Sequence, residues 1–362
     1  MPVPLPVADP AALVESLVRI GSVSGDERAV ADSVEAALRP VPWLEVVRDG
    51  DCVVARTDRR RPRRVVVAGH VDTVPLPPGG LDTRVADGVL RGRGAVDMLG
   101  GVAMALHVAT TLDDPGPDVT YVFYDGEEVE AERNGLLRLA RNRPGLLAGD
   151  VALLGEPTDL AVEGGCQGTV TVEVGVAGTA AHAARAWRGR NAVHEAAAVV
   201  ARVAAAPQRR PVVGGLEYRE GMQVVRIDGG GPARNVVPDR CTVVVNHRFA
   251  PDRDVDAATA ALRAVVGEHP WRVVDAAPAA APGLDRPELA RFAGLVAART
   301  GRPTRAKLGW TDVARFTELG VPAVNFGPGH PELAHHDDEH VALADVVLAA
   351  EVLREWLADE TS

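Results

Sequence analysis

The chain has 362 residues, with 39 basic and 50 acidic side chains and a formal charge of −11. All but one of the basic residues are arginine, so a P-loop, kinase-type or Schiff-base lysine would have to be Lys307, and no such motif surrounds it. The acidic balance argues against a nucleic-acid or membrane-surface binder, which needs a basic face.

Read in chain order, the N-terminus MPVPLPVADP has no basic residue followed by an apolar run, so it is not read as a secretory signal. An amphipathic helix is expected over Pro10–Ile20. Ser24 is an N-cap candidate, with Glu27 at the capping-box position, for a helix ending before Pro40. Strands follow at Cys52–Arg56 and Arg64–Gly69, then a helix at Gly100–Leu112, a strand at Val119–Tyr124, a helix at Gly135–Arg141 and a strand at Val151–Leu154. Continuous apolar strands alternating with helices predict an α/β sheet covered on both faces.

The pattern changes near Gly168. Thr169–Val176 alternates like a half-exposed strand. Asn191–Ala206 is helical, and its alanine-valine stretch, broken by Arg202, is far short of the ~20 residues a membrane span needs. Gln223–Asp228 and Thr242–Arg248 read as strands, Asp252–Val266 as a helix and Trp271–Val274 as a strand. The order β-α-β-β-α-β is ferredoxin-like. A Pro/Ala-rich connector, Asp275–Pro287, closes this part. The α/β pattern then resumes with a helix at Pro287–Arg299, a strand near Thr304–Leu308, a helix at Thr311–Leu319, a strand at Val321–Phe326 and a last helix at Leu343–Leu357. The expected organisation is one α/β domain in two segments, 1–167 and 284–362, interrupted by an inserted domain at 168–283. Three widely spaced cysteines, Cys52, Cys166 and Cys241, form no Cys-x-x-Cys motif and fit a reducing, cytoplasmic compartment.

Polar residues crowd the carboxyl ends of four strands, where open α/β sheets form their sites. Arg64–Ala68 runs into His70-Val71-Asp72. On a strand, His70 and Asp72 share a face, so Asp72 can accept from one ring nitrogen while the other binds a metal; a strand-end histidine bonded to a turn aspartate is the plainer alternative. Val119–Tyr124 runs into Glu127-Glu128, whose side chains point in opposite directions if strand geometry persists. One can then face a metal and the other a substrate, although adjacent carboxylates with Glu130 and Glu132 also fit a solvated acidic turn. Glu156 follows four apolar residues, where an unpaired buried carboxylate would be costly. Asp97 precedes the Gly100-Gly101 helix start. Val321–Phe326 leads to a loop with four histidines, His330, His335, His336 and His340, and chemistry alone does not choose among them. No Gly-x-Ser-x-Gly motif is present, which argues against a serine hydrolase.

In combination, the stretches GHVDTVP, RGRGAVDM, FYDGEEVE, LLGEPTD and AHHDDEHV resemble the M20 family of zinc-dependent amidohydrolases and peptidases along essentially the whole chain. The stretches EGGCQGT, AARAWRGRNAVH, YREGMQVVRIDGG, ARNVVPD, NHRFAPDR, GWTDVARF and PAVNFGPG are similar to its actinobacterial desuccinylase branch, which acts on N-succinyl-L,L-diaminopimelate. The resemblance implies a di-zinc catalytic domain with an inserted ferredoxin-like lid and dimerisation domain. It implies two Zn²⁺ per subunit, with Co²⁺ or Mn²⁺ as substitutes. His70, Asp97 and Glu156 would hold one ion; Asp97, Glu128 and His335 would hold the other. Asp72 would orient His70, Glu127 would be the general base, and His182 would reach a partner subunit's site in a homodimer. Asn235, Arg248, Gly309, Trp310 and Thr311 match the family's substrate-binding positions. Acetylornithine deacetylase, aminoacylase and dipeptidase are the alternatives within the family. Two positions depart from the pattern: Leu99 stands where a lysine is usual, which puts a local surface contact in doubt, and Trp310 replaces a small residue and would narrow the pocket.

Overall fold

The structure is a computed structural model that describes residues 2–359. It divides into two compact units. One takes the chain up to Gly165, Pro282–Arg305 and everything from Asp312 onward; the other takes Cys166–Ala281 and Ala306–Thr311.

Apart from Ala306, an eight-stranded sheet lies in the first unit, in the spatial order Glu45–Asp49, Cys52–Arg56, Asp118–Tyr124, Arg64–His70, Val151–Leu154, Ala323–Asn325, Glu163–Gly164, Arg305–Ala306. Its four central members are parallel: Arg64–His70 pairs with both Asp118–Tyr124 and Val151–Leu154, and Val151–Leu154 pairs with Ala323–Asn325. These strands are buried along nearly their whole length, which is why they read as unbroken apolar runs. Because they are parallel, their carboxyl ends share one edge of the sheet. The edge strand Glu45–Asp49 was not foreseen: EVVRD is half-exposed and mixes charge with valine, so it has no clear two-residue period.

Helix Leu99–Thr111 buries ten of its thirteen residues and packs against Pro10–Ile20, Leu343–Ala358 and the strand Arg64–His70. A helix this closely surrounded needs small residues at its contacts. A Cβ on Gly101 would lie 1.9 Å from the Gly155 carbonyl oxygen, and one on Gly327 would lie 2.5 Å from that same oxygen. Any side chain at Gly101 would therefore push the Gly155-Glu156 turn outward from the sheet edge.

Two local expectations are corrected. Ser24 does not cap the second helix, which starts at Arg28; its hydroxyl donates to Asp72 Oδ2 (2.7 Å), while Glu27 accepts the Gly25 N–H (2.8 Å). Leu99 is not at a surface: it is 1% exposed and packs on Gly94, whose missing side chain leaves room for it. An apolar residue suits that position, and a lysine there would bury its ammonium.

The second unit is a four-stranded antiparallel sheet in the order Gly221–Gly229, Arg240–Phe249, Gly168–Ala177, Trp271–Ala277. Helices Ala192–Ala204 and Val255–Val266 are its long helices. Their apolar faces bury Ala196, Val199, Leu262 and Val266 against Val172, Val174, Val243 and Val245. On the two outer strands Val225, Ile227, Val273 and Val274 remain exposed. The segment 306–311, expected with the α/β part, belongs here. Trp310 Nε1 donates to the Pro278 carbonyl (3.1 Å), and the Cys166 thiol lies 3.6 Å from the Thr311 carbonyl. Sequence order alone hides such a short return. Among the described residues, no helix is long and apolar enough to cross a membrane.

Candidate metal centre

The shared strand edge gathers most of the singled-out side chains. His70 ends its strand almost fully buried. Its Nδ1 lies 3.0 Å from the Asp72 carbonyl oxygen and 3.5 Å from the Asp72 carboxylate. A carbonyl only accepts, so Nδ1 carries a proton, and Nε2 is the nitrogen left for a metal. That Nε2 faces Asp97 Oδ1 at 3.2 Å. The other Asp97 oxygen, Oδ2, lies 3.3 Å from His335 Nε2, which also sits 2.9 Å from Glu128 Oε1. One donor atom each from His70, Asp97 and Glu128 falls within 4.8 Å of the others.

Asp72 does more than steady His70. Its two oxygens accept the backbone N–H groups of Glu127 (3.0 Å) and Glu128 (3.1 Å), and one also takes the Ser24 hydroxyl. The fully buried carboxylate thus ties the end of one strand to the turn after its neighbour. Burial alone would raise its pKa, but the bonds from His70, Ser24 and Glu127 outweigh that and hold it at about 2. His335 adopts a left-handed backbone, φ 65°, uncommon for a residue with a side chain and frequent at functional sites.

The electrostatics of the cluster follow from its crowded acids. Burial pushes Glu127 well above the ordinary carboxylate range; His70 opposes the rise, and the negative charges of Asp312, Glu156 and Glu128 add to it. Buried Glu156 follows the strand Val151–Leu154, and its charge is felt at both Glu127 and Tyr124. For His335, hydrogen bonds to Asp97 and Glu128 raise the pKa to about 10 against the effect of burial. Burial lowers His70, but Asp72 and Asp97 outweigh it and leave its pKa well above 6.5. Burial would raise Asp97, yet the two imidazoles hold it far below the usual range. Two imidazoles set among an excess of carboxylates form an all-N/O donor set for divalent cations.

Three residues that hold this arrangement escaped the sequence reading. Buried Glu339 accepts from the backbone N–H groups of Val96 (2.9 Å) and Asp97 (3.1 Å) and pairs with Arg93 (2.9 Å). Fully buried Asp312 accepts from the Asn134 amide (2.9 Å) and pairs with Arg315; Asn134 in turn caps the helix that follows the Glu127-Glu128 turn. Arg93 is hidden among 38 arginines. Glu339 sits within the His/Asp/Glu run, where only its burial distinguishes it.

The remaining candidates belong to the second unit. A two-residue ladder pairs Ala181-His182 with Val236-Val237. It brings His182 Nε2 to 3.5 Å from the Asn235 amide nitrogen, while Nδ1 accepts from the Ala184 N–H (3.1 Å). His182 and Arg248 are exposed, Gly309 is exposed, Trp310 is half-buried and Thr311 is buried.

Residues 66–359 match the model of peptidase family M20/M25/M40. The chain belongs to this family. It is 46% identical, over 96% of its length and 98% of the relative's, to a Mycobacterium tuberculosis protein assigned as succinyl-diaminopimelate desuccinylase DapE. It is 41% identical to the succinyl-diaminopimelate desuccinylase of Corynebacterium glutamicum, over 98% of its own length and 97% of that protein's. Among solved structures, aminopeptidase PepT from Bacillus cereus superposes with a TM-score of 0.78 at 17% identity, covering 99% of this chain and 100% of that one. The Bacillus subtilis YXEP protein, a dinuclear metal-binding M20 peptidase, does so with a TM-score of 0.66 at 16% identity, covering 95% of each. The M20 fold is thus common to all of them, and the α/β catalytic unit with an inserted ferredoxin-like unit is this family's architecture here.

Proposed function

We propose that this M20 hydrolase cleaves the succinyl amide of N-succinyl-L,L-2,6-diaminopimelate, giving succinate and L,L-diaminopimelate. The observation that carries the reading is the near-full-length identity to two proteins bearing that activity in their names. The convergence of His70, Asp97, Glu128 and His335 supports a dinuclear zinc centre. In this scheme His70, Asp97 and Glu156 hold one ion, and Asp97, Glu128 and His335 hold the other, with Co²⁺ or Mn²⁺ as substitutes. When bound, the pair would polarise the amide carbonyl and lower the pKa of water at the site. Glu127 takes the proton from the attacking water and returns it to the departing amine. Asp72 keeps the His70 ring in the tautomer that leaves Nε2 free. The substrate carries three carboxylates and one ammonium, and Arg248, Asn235 and the Gly309-Trp310-Thr311 segment supply guanidinium and amide donors for the anionic groups. Three free, buried cysteines support a cytoplasmic setting.

Assays on N-succinyl-L,L-diaminopimelate, N-acetylornithine and dipeptides test the reading. Turnover is expected to be strongest on the first, to vanish on chelation and to return with Zn²⁺. Preference for acetylornithine or a dipeptide would move the chain to another branch of the family.

We also infer a homodimer formed through the inserted unit. Its edge strand Gly221–Gly229 carries exposed Val225 and Ile227, an unpaired edge suited to a second copy. Light scattering over a dilution series is expected to show dimers, and Ile227→Arg to shift them toward monomers. If His182 serves the partner's site as an oxyanion donor, His182→Ala lowers kcat by roughly 10²–10³. A fully active monomer at every dilution would remove that role.

A further inference from the structure

Glu339 belongs to none of the ligand or base roles, yet its carboxyl is 1% exposed, and burial raises its pKa against the pull of the Asp97 and Val96 amides and Arg93. A carboxylate survives such a place only when its oxygens are fully engaged. Here Oε1 accepts two successive backbone N–H groups, those of Val96 and Asp97, and Oε2 pairs with Arg93 Nη1, which also donates to the His336 carbonyl at 3.2 Å. Both segments already have a scaffold without it. Strand His340–Ala342 pairs with Val89–Arg91 through a three-residue ladder, and Gly92 N–H donates to the Glu339 carbonyl (3.1 Å). The side chain therefore adds something the backbone does not. It fixes the residue whose carboxylate faces both imidazoles, Asp97, against the loop that presents His335.

We propose that Glu339 is a positioning residue of the metal centre: with Arg93 it clamps the Asp97 backbone to the His335 loop, setting the two ligands in register. The inference rests on the dinuclear reading above. It makes a distinctive demand, because Asp97 is placed at both ions. Loss of the clamp should weaken both, whereas loss of His335 should weaken one.

The experiment is a Zn²⁺ titration by calorimetry of chelator-stripped protein, alongside the absorption bands of the Co²⁺-loaded form and the thermal melt of the metal-free form. Glu339→Gln is expected to weaken uptake of both ions by roughly 10–100-fold, the usual effect of removing a residue that orients metal ligands. The Co²⁺ bands should change while the metal-free melt stays cooperative. His335→Ala is the comparison and should lower affinity for one ion only. Glu339→Asp keeps the charge but shortens the reach; it should act in the same direction to a smaller degree, and it decides the matter if the glutamine variant does not fold. Two-ion binding and Co²⁺ spectra indistinguishable from wild type in the folded variants would overturn the clamp. Wild-type protein that takes up no cation would overturn the dinuclear reading itself, and the clamp with it.

Discussion

Glu127→Gln is expected to lower kcat by roughly 10²–10⁴, the span that positioned proton transfer contributes, while metal content stays at the wild-type level. The substitution keeps size and hydrogen-bonding shape but removes the site that accepts and returns a proton. Metal retention follows from the placement: Glu128, not Glu127, lies with His70 and Asp97, and the Glu127 backbone N–H that bonds Asp72 is untouched. The variant also replaces a carboxyl whose ionisation is disfavoured by burial and by its acidic neighbours, so its folding stability should match or exceed that of wild type in the metal-free form. The checks are steady-state kinetics on the succinylated substrate, metal analysis and a thermal melt. A variant with wild-type kcat would take the base role from Glu127, and one that loses its metals would make it a ligand.

The elements that were legible beforehand are those whose burial is uniform. Strands Arg64–His70, Asp118–Tyr124 and Val151–Leu154 are enclosed on both faces, so their apolar runs and the polar residues that end them stood out. The helices of the inserted unit were legible because one face of each is apolar. What escaped depends on contacts distant in sequence. Ser24 looks like a helix cap until Asp72, 48 residues away, claims its hydroxyl. Residues 306–311 look like α/β chain until Pro278 accepts from Trp310. Glu339 reads as part of a solvated acidic loop until its carboxylate meets the Val96 and Asp97 amides, more than 240 residues earlier. Among the four histidines of its loop, family resemblance selects His335. Its Nε2 stands against Asp97 and Glu128, while His336 lies 63% exposed near Asp338, which gives the choice a physical basis.

Asp97→Asn should have the larger consequence, because it strikes both proposed ions through one residue. In the wild-type protein its two oxygens are equivalent acceptors, one toward His70 Nε2 and one toward His335 Nε2. An amide keeps one acceptor and turns the other position into a donor, so at least one imidazole loses its shared partner and the bridge carries no charge. Metal affinity is expected to fall by at least ~10²-fold, beyond the upper end of what removing an orienting partner costs, and activity should fall with it. The same change has a signature in the chelated protein. There the imidazolium of His335 is held by Asp97 and Glu128, with its pKa raised to about 10. A raised histidine stabilises the fold fully below its unfolded-state pKa of about 6.5, and that contribution is lost as pH rises through the folded value. Half of the His335 side chain is exposed, so solvent screening keeps the effect small. Metal-free wild type should therefore lose some stability between neutral and alkaline pH, and Asp97→Asn should flatten that slope. Denaturant melts of chelated protein across this range, with metal analysis of the untreated protein, provide the check. An Asp97→Asn variant that keeps two ions and full turnover would place the bridge elsewhere, whatever its stability.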